Sequence, residues 1–107
     1  MRKIYPENTE NKALSLCGLC LKSGRLALGE SAVRKAVLTE KAFLVVFASD
    51  CGENTRKKLE ALCAGKNTPI TVFSEKEKLG NALGKDGKAV IAFLDKGFAE
   101  ALKKIIS

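Results

Sequence analysis

The sequence predicts an α/β fold, a three-layer αβα sandwich with a four-stranded sheet, and three observations carry that reading. Helical and strand patterns alternate along the whole chain. Two apolar runs, Phe43 to Ala48 and Ala89 to Leu94, have strand length and no polar face, as expected of strands covered on both sides. Helix-start and helix-stop residues recur at the joints between these patterns.

Each element has a local reason. The first helix is expected from Asn8 or Thr9 to about Lys22, ended by Ser23-Gly24. A short extended piece follows and stops at Gly29. There a second helix begins and runs to about Thr39, with Val33, Ala36 and Val37 spaced to face inward and Ser31, Arg34 and Lys35 left to solvent. Phe43 to Ala48 is the expected central strand. Asp50 is placed to cap the third helix, with Glu53 completing a capping box, Leu59, Leu62 and Cys63 as its apolar side, and Gly65 closing it. Pro69 to Phe73 is the next strand, and a second capping box, Ser74 with Glu77, opens a short helix through about Leu83. Gly84-Lys85-Asp86-Gly87 is a turn, Ala89 to Leu94 the last strand, and Asp95 the cap of a final helix carrying Phe98, Leu102 and Ile105 or Ile106 on one face.

At 107 residues, with no linker, internal repeat or low-complexity stretch, residues 1–107 read as one domain. No apolar run approaches the roughly 18 residues needed to span a bilayer. The basic start, Met1-Arg2-Lys3, has no apolar stretch behind it, so a secretion signal is not expected and the protein is placed in the cytoplasm. Nineteen Lys and Arg against twelve Asp and Glu leave a formal charge of +7, which favours polyanionic partners through long-range attraction and counterion release.

Histidine is absent, which removes imidazole metal sites, Ser-His and Cys-His nucleophile pairs and the usual general base near neutral pH. Cys17 and Cys20 form a C-x-x-C, but inside a helix already under way rather than at its start, where the dipole would activate a thiol. Cys51 and Cys63 stand too far apart to complete a zinc site. At helical spacing Cys17 continues the stripe of Leu14 and Leu21, and Cys20 that of Leu16 and Ala13. Small buried thiols are the simpler account. No metal and no cofactor are expected.

Two glycine-bearing polar segments, Ser23 to Lys35 and Leu79 to Lys88, make the candidate site. A helix that starts at Gly29 offers unpaired N–H groups and the positive end of its dipole, and glycine lets an anion come close. The candidate residues are Lys22, Gly24, Arg25, Gly29, Glu30, Ser31, Arg34 and Lys35 from the first segment, with Gly84, Lys85 and Lys88 from the second. Arg56, Lys57 and Lys58 read as a solvated face adding only general attraction.

Together these residues give the chain a resemblance to the ribosomal protein L-seven-Ae / L-thirty-e family, the kink-turn RNA-binding superfamily, and within it to the bacterial YlxQ-like branch. The resemblance runs from Ala13 to Ile105. It is carried by Gly24 and Gly29 with Glu30, Val33 and Lys35; by Ala48-Ser49-Asp50; by Asn54-Thr55 with Lys57 and Lys58; by Leu79-Gly80 with Ala82, Gly84 and Lys85; and by Asp95-Lys96-Gly97-Phe98-Ala99. It implies a four-stranded mixed sheet and an RNA site at the start of the second helix. Gly29 then matches the glycine that allows close approach, and Lys35 the lysine that reaches a phosphate or base edge. Glu30, Ser31 and Ala32 stand where the best-known binders carry Thr, Asn and Glu, so direct base reading is weakened while phosphate binding survives.

The expected function is therefore non-catalytic binding of structured RNA, ribosomal RNA or kink-turn-like RNA, by a monomer with no DNA specificity and no membrane partner. Lys35→Ala and Arg25→Ala should weaken that binding and flatten its salt dependence. The alternative is a protein-interaction adaptor associated with the ribosome or translation machinery. Only scattered Ser, Cys and carboxylates speak for an enzyme.

Overall fold

A computed structural model describes residues 5–85 and 88–107. In chain order it contains α1 (Glu7–Lys22), β1 (Leu26–Leu28), α2 (Gly29–Leu38), β2 (Leu44–Phe47), α3 (Glu53–Lys66), β3 (Ile70–Val72), α4 (Lys76–Leu83), β4 (Val90–Phe93) and α5 (Lys96–Ile106). The strands form one sheet in the order β1-β4-β2-β3, with β4 antiparallel to both β1 and β2, and β2 parallel to β3. The expected αβα sandwich with a four-stranded mixed sheet is what the chain forms.

Strand alternation divides the interior into two cores. Leu26, Leu44, Val46, Ile91 and Phe93 point to one face and pack with Ala13, Cys17 and Cys20 of α1, Leu79 and Leu83 of α4, and Leu102 of α5. Ala27, Val45, Phe47, Val90 and Ala92 point to the other, against Val33 and Val37 of α2 and Leu59 and Cys63 of α3. Every residue of β2 and β4 is buried, which is why these strands read as unbroken apolar runs. β2 shares the middle of the sheet with β4, and β1 and β3 are its borders. Phe43, expected in the strand, lies before it and is 41% exposed.

The cysteines follow the helical stripe. Cys17, Cys20 and Cys63 are buried, and Cys51 is half-buried in the loop before α3. Burial pushes the Cys17 thiol up to about 12 and Cys20 up to about 11, the latter with a further push from the Asp95 carboxylate.

Three helix ends differ from the sequence expectation. Asp50 does not cap α3, whose N-cap is Gly52 and has no side-chain hydrogen bond. Its Oδ1 accepts instead from the Lys76 backbone N–H at 2.9 Å, in the first turn of α4. β2 and β3 are parallel neighbours, so the loops leaving their C-terminal ends lie side by side and a cap can cross from one to the other. Ser74 makes no capping box: its backbone is left-handed at φ 63°, Glu75 is the N-cap, and its hydroxyl donates to Glu10 Oε1 at 2.9 Å. Gly65 lies inside α3, and Asn67, at φ 57°, ends that helix. The expected cap at Asp95 forms, with Oδ1 accepting from the Phe98 N–H at 2.9 Å.

Candidate nucleic-acid interface

The sheet order gathers the C-terminal ends of β1 and β2 and the N-terminal end of β4 at one pole. β1 ends there at Leu28 and α2 begins at once with Gly29, whose φ of 86° lies in the left-handed region that favours glycine. Leu28 is the N-cap, so no side chain caps the helix and its first-turn N–H groups face outward.

Lys88 arrives at the same corner because it precedes β4, the antiparallel partner of β1. Its Nζ is 3.8 Å from the position a Cβ on Gly29 would take. An ammonium and the positive end of a ten-residue helix thus share one half-buried corner. The two glycine-bearing segments, 44 or more residues apart in sequence, meet through this pair.

The remaining candidates divide into two groups. Glu30, Ser31, Arg34 and Lys35 are exposed on α2 and line one shallow hollow with Leu38 and Thr39. Glu30 and Arg34 also line a second hollow, shared with Lys58 and Leu62 of α3. Glu30 turns toward α3, where its Oε1 accepts from the Thr55 hydroxyl at 3.0 Å.

In the second group, Gly24, Gly84 and Arg25 are committed to the fold. Gly24, at φ 74°, ends α1 in a Schellman motif: the Arg25 N–H donates to the Cys20 carbonyl and the Gly24 N–H to that of Leu21. Gly84, at φ 68°, ends α4 in the same way, with Lys85 donating to Gly80 and Gly84 to Asn81. Arg25 Nη1 donates to Asp95 Oδ2 at 2.8 Å, joining β1 to the cap of α5. Lys22 lies at the end of α1 and lines a groove between α1 and α4 with Gly18, Leu19, Lys78 and Asn81. Asp86 and Gly87 of the expected turn lie outside the described residues, while Lys85 beside them is exposed.

The α1–α4 groove, about 1110 Å³, is roomier than either hollow beside α2. Volume is a poor guide to a polynucleotide site, because a backbone of phosphates needs an open cationic ledge rather than an enclosed space. Thr55 holds Glu30 and Asp95 holds Arg25, and neither is among the candidates. Their sequence signals are their places in the segments that carry the resemblance and, for Asp95, the helix-capping position.

The family model for the ribosomal protein L7Ae/L30e/S12e/Gadd45 family matches residues 11–103. The chain is similar to the RNA-binding protein YlxQ of Enterococcus faecium, with 36% identity over 101 residues covering 94% of this chain and 96% of that protein. It is also similar to the large ribosomal subunit protein eL8 of Thermoplasma volcanium, 31% identical over 112 residues covering 99% of this chain and 93% of that protein. Among solved structures, a protein of unknown function from Bacillus halodurans superimposes with a TM-score of 0.84 at 39% identity, covering 89% of this chain and 96% of that one. The Giardia lamblia 15.5kD RNA binding protein superimposes with a TM-score of 0.74 at 20% identity, covering 96% and 88%, a likeness of fold alone.

Proposed function

The chain belongs to the ribosomal protein L7Ae/L30e/S12e/Gadd45 family, and on that premise we propose that it is a single-domain binder of structured RNA that takes the RNA backbone at the start of α2. Its relatives are RNA-binding and ribosomal proteins, a non-enzymatic family, and the chain is not an enzyme. Among the described residues, no helix is long and apolar enough to cross a membrane.

The observation that carries the reading is the meeting of Lys88 with Gly29 at an uncapped helix N-terminus. A phosphate there accepts from first-turn N–H groups and from an ammonium together, in the geometry that charge-assisted hydrogen bonds favour. Arg34 and Lys35, adjacent and exposed about a turn and a half along, extend the ledge for neighbouring phosphates. Gly29, Glu30, Ser31, Arg34, Lys35 and Lys88 form the contact surface, with Lys85 at its margin. Gly24 and Arg25 precede β1, at the opposite pole of the sheet, and with Gly84 they serve the fold rather than this surface.

The target class is a folded cytoplasmic RNA, ribosomal RNA first. Ser31 and Ala32 favour backbone contacts over base reading, since each lost polar base contact removes about 1–3 kcal/mol of discrimination. A tandem G·A kink-turn is accordingly bound with less selectivity over other folded RNAs than a reader with Asn and Glu at those places would show. The domain acts as a monomer and without preference for DNA.

Titration of the protein with a kink-turn RNA, a ribosomal RNA hairpin panel and duplex DNA over a range of salt tests this. The parent should bind folded RNA with a steep salt dependence, and Lys35→Ala and Lys88→Ala should each lower the slope by about one. Unchanged binding in both variants would move the site elsewhere.

A further inference from the structure

The Asn54-Thr55 pair is part of the family resemblance, yet neither residue contributes a cation or a helix end to the RNA ledge. The one bond of Thr55 across the molecule gives it a task. Its hydroxyl donates to Glu30 Oε1 at 3.0 Å, from the first turn of α3 to the first turn of α2. Glu30 has another partner within reach, because Arg34 lies four residues on along the same helix. A glutamate one turn ahead of a cation is the favourable orientation for an i,i+4 ion pair. The chain makes i,i+4 ion pairs elsewhere, in this orientation between Glu53 and Lys57 at 3.1 Å and in the reverse one between Arg56 and Glu60 at 2.7 Å. Glu30 and Arg34 do not form one, and among the described residues Arg34 has no carboxylate partner.

We infer that Thr55 is a positioning residue for the RNA site: by drawing the Glu30 carboxylate toward α3, it keeps the Arg34 guanidinium free for an RNA phosphate. This rests on the proposed RNA-binding reading. Without the Thr55 hydroxyl, Glu30 loses the bond that holds it toward α3 and is released to close on Arg34, which neutralises one cation of the ledge. A phosphate must then compete with an internal carboxylate for the same guanidinium. The exchange involves exposed side chains and helix-surface pairs, so the affinity change is small. The number of phosphates neutralised is the sharper reading, because it sets the slope of binding against salt.

The experiment measures affinity for one folded probe, a kink-turn RNA, from low to physiological salt. It compares the parent with Thr55→Val, Thr55→Ser, Thr55→Val/Glu30→Gln and Arg34→Ala. Thr55→Val should weaken binding about two- to fivefold at low salt and lower the slope by up to one, approaching Arg34→Ala. Thr55→Ser should keep the parent's slope. Adding Glu30→Gln to Thr55→Val should restore the slope, because a neutral amide cannot hold Arg34 as a carboxylate does. A Thr55→Val protein that binds like the parent while Arg34→Ala loses slope would overturn the positioning role alone. Thr55→Val binding that Glu30→Gln fails to restore would do the same. No loss of slope in Arg34→Ala would overturn both this inference and the placement of the RNA ledge.

Discussion

The ammonium of Lys88 stands 3.8 Å from the point where a side chain on Gly29 would begin. The open space at Gly29 therefore borders a cation directly, at the first residue of α2. Gly29→Ala would fill that space and force an L-residue to hold φ near 86°. The expected outcome is a stability loss of about 1–2 kcal/mol in urea denaturation together with weaker RNA binding. A variant as stable as the parent would show that the strained turn has relaxed.

Arg25 and Lys88 are both cationic, but among the described residues only Arg25 is held by a carboxylate, at 2.8 Å. Lys88→Ala should therefore cost more RNA affinity than Arg25→Ala, and the Arg25 variant should show its effect first in thermal stability. Parallel salt titrations and melting curves separate the two, and an Arg25 variant with the larger loss of salt slope would reverse their roles.

Asp50 belongs to α4 rather than to the helix that follows it in sequence. Asp50→Ala should cost about 1 kcal/mol, with the increase in amide exchange confined to the first turn of α4 around Lys76. Faster exchange at Glu53 to Arg56 instead would return Asp50 to α3.

The buried thiols predict the sign of the alkaline response. Folding raises the Cys17 value from 9.0 to about 12 and the Cys20 value from 9.0 to about 11. Between these values the native state keeps protons that the unfolded chain has lost, so the contribution is complete below pH 9 and is lost as pH climbs toward 11 to 12. Urea melts across that window should show falling stability, with a shallower fall in Cys17→Ala/Cys20→Ala. At pH 8, Cys51, half-buried, should alkylate ahead of Cys17 and Cys20 in the native protein.

Most of the element order was legible from two periodicities, an unbroken apolar run for β2 and β4 and a one-sided stripe for the helices, whereas β1 read only as a short extended piece. Helix ends were less legible. Asp50 and Ser74 have the composition of local caps, but their side chains bond to Lys76 and Glu10, partners that only the parallel pairing of β2 with β3 and the packing of α1 bring near. At the site, Gly29 was readable as a strand-to-helix corner. The approach of Lys88 was not deducible from spacing alone, since it depends on β4 lying antiparallel to β1, a pairing that residue patterns do not reveal. Thr55 was visible only as part of a shared pattern. A hydroxyl bonded to a carboxylate 25 residues earlier leaves no trace in periodicity.

The sheet's two borders, Leu26–Leu28 and Ile70–Val72, are three residues long. A foreign strand laid along either would find too few amide partners to zip up, so self-association by edge pairing is discouraged at both margins. For a basic protein that a polyanion concentrates many-fold, this brevity should keep neighbouring copies from fusing into sheets while crowded on the same nucleic acid.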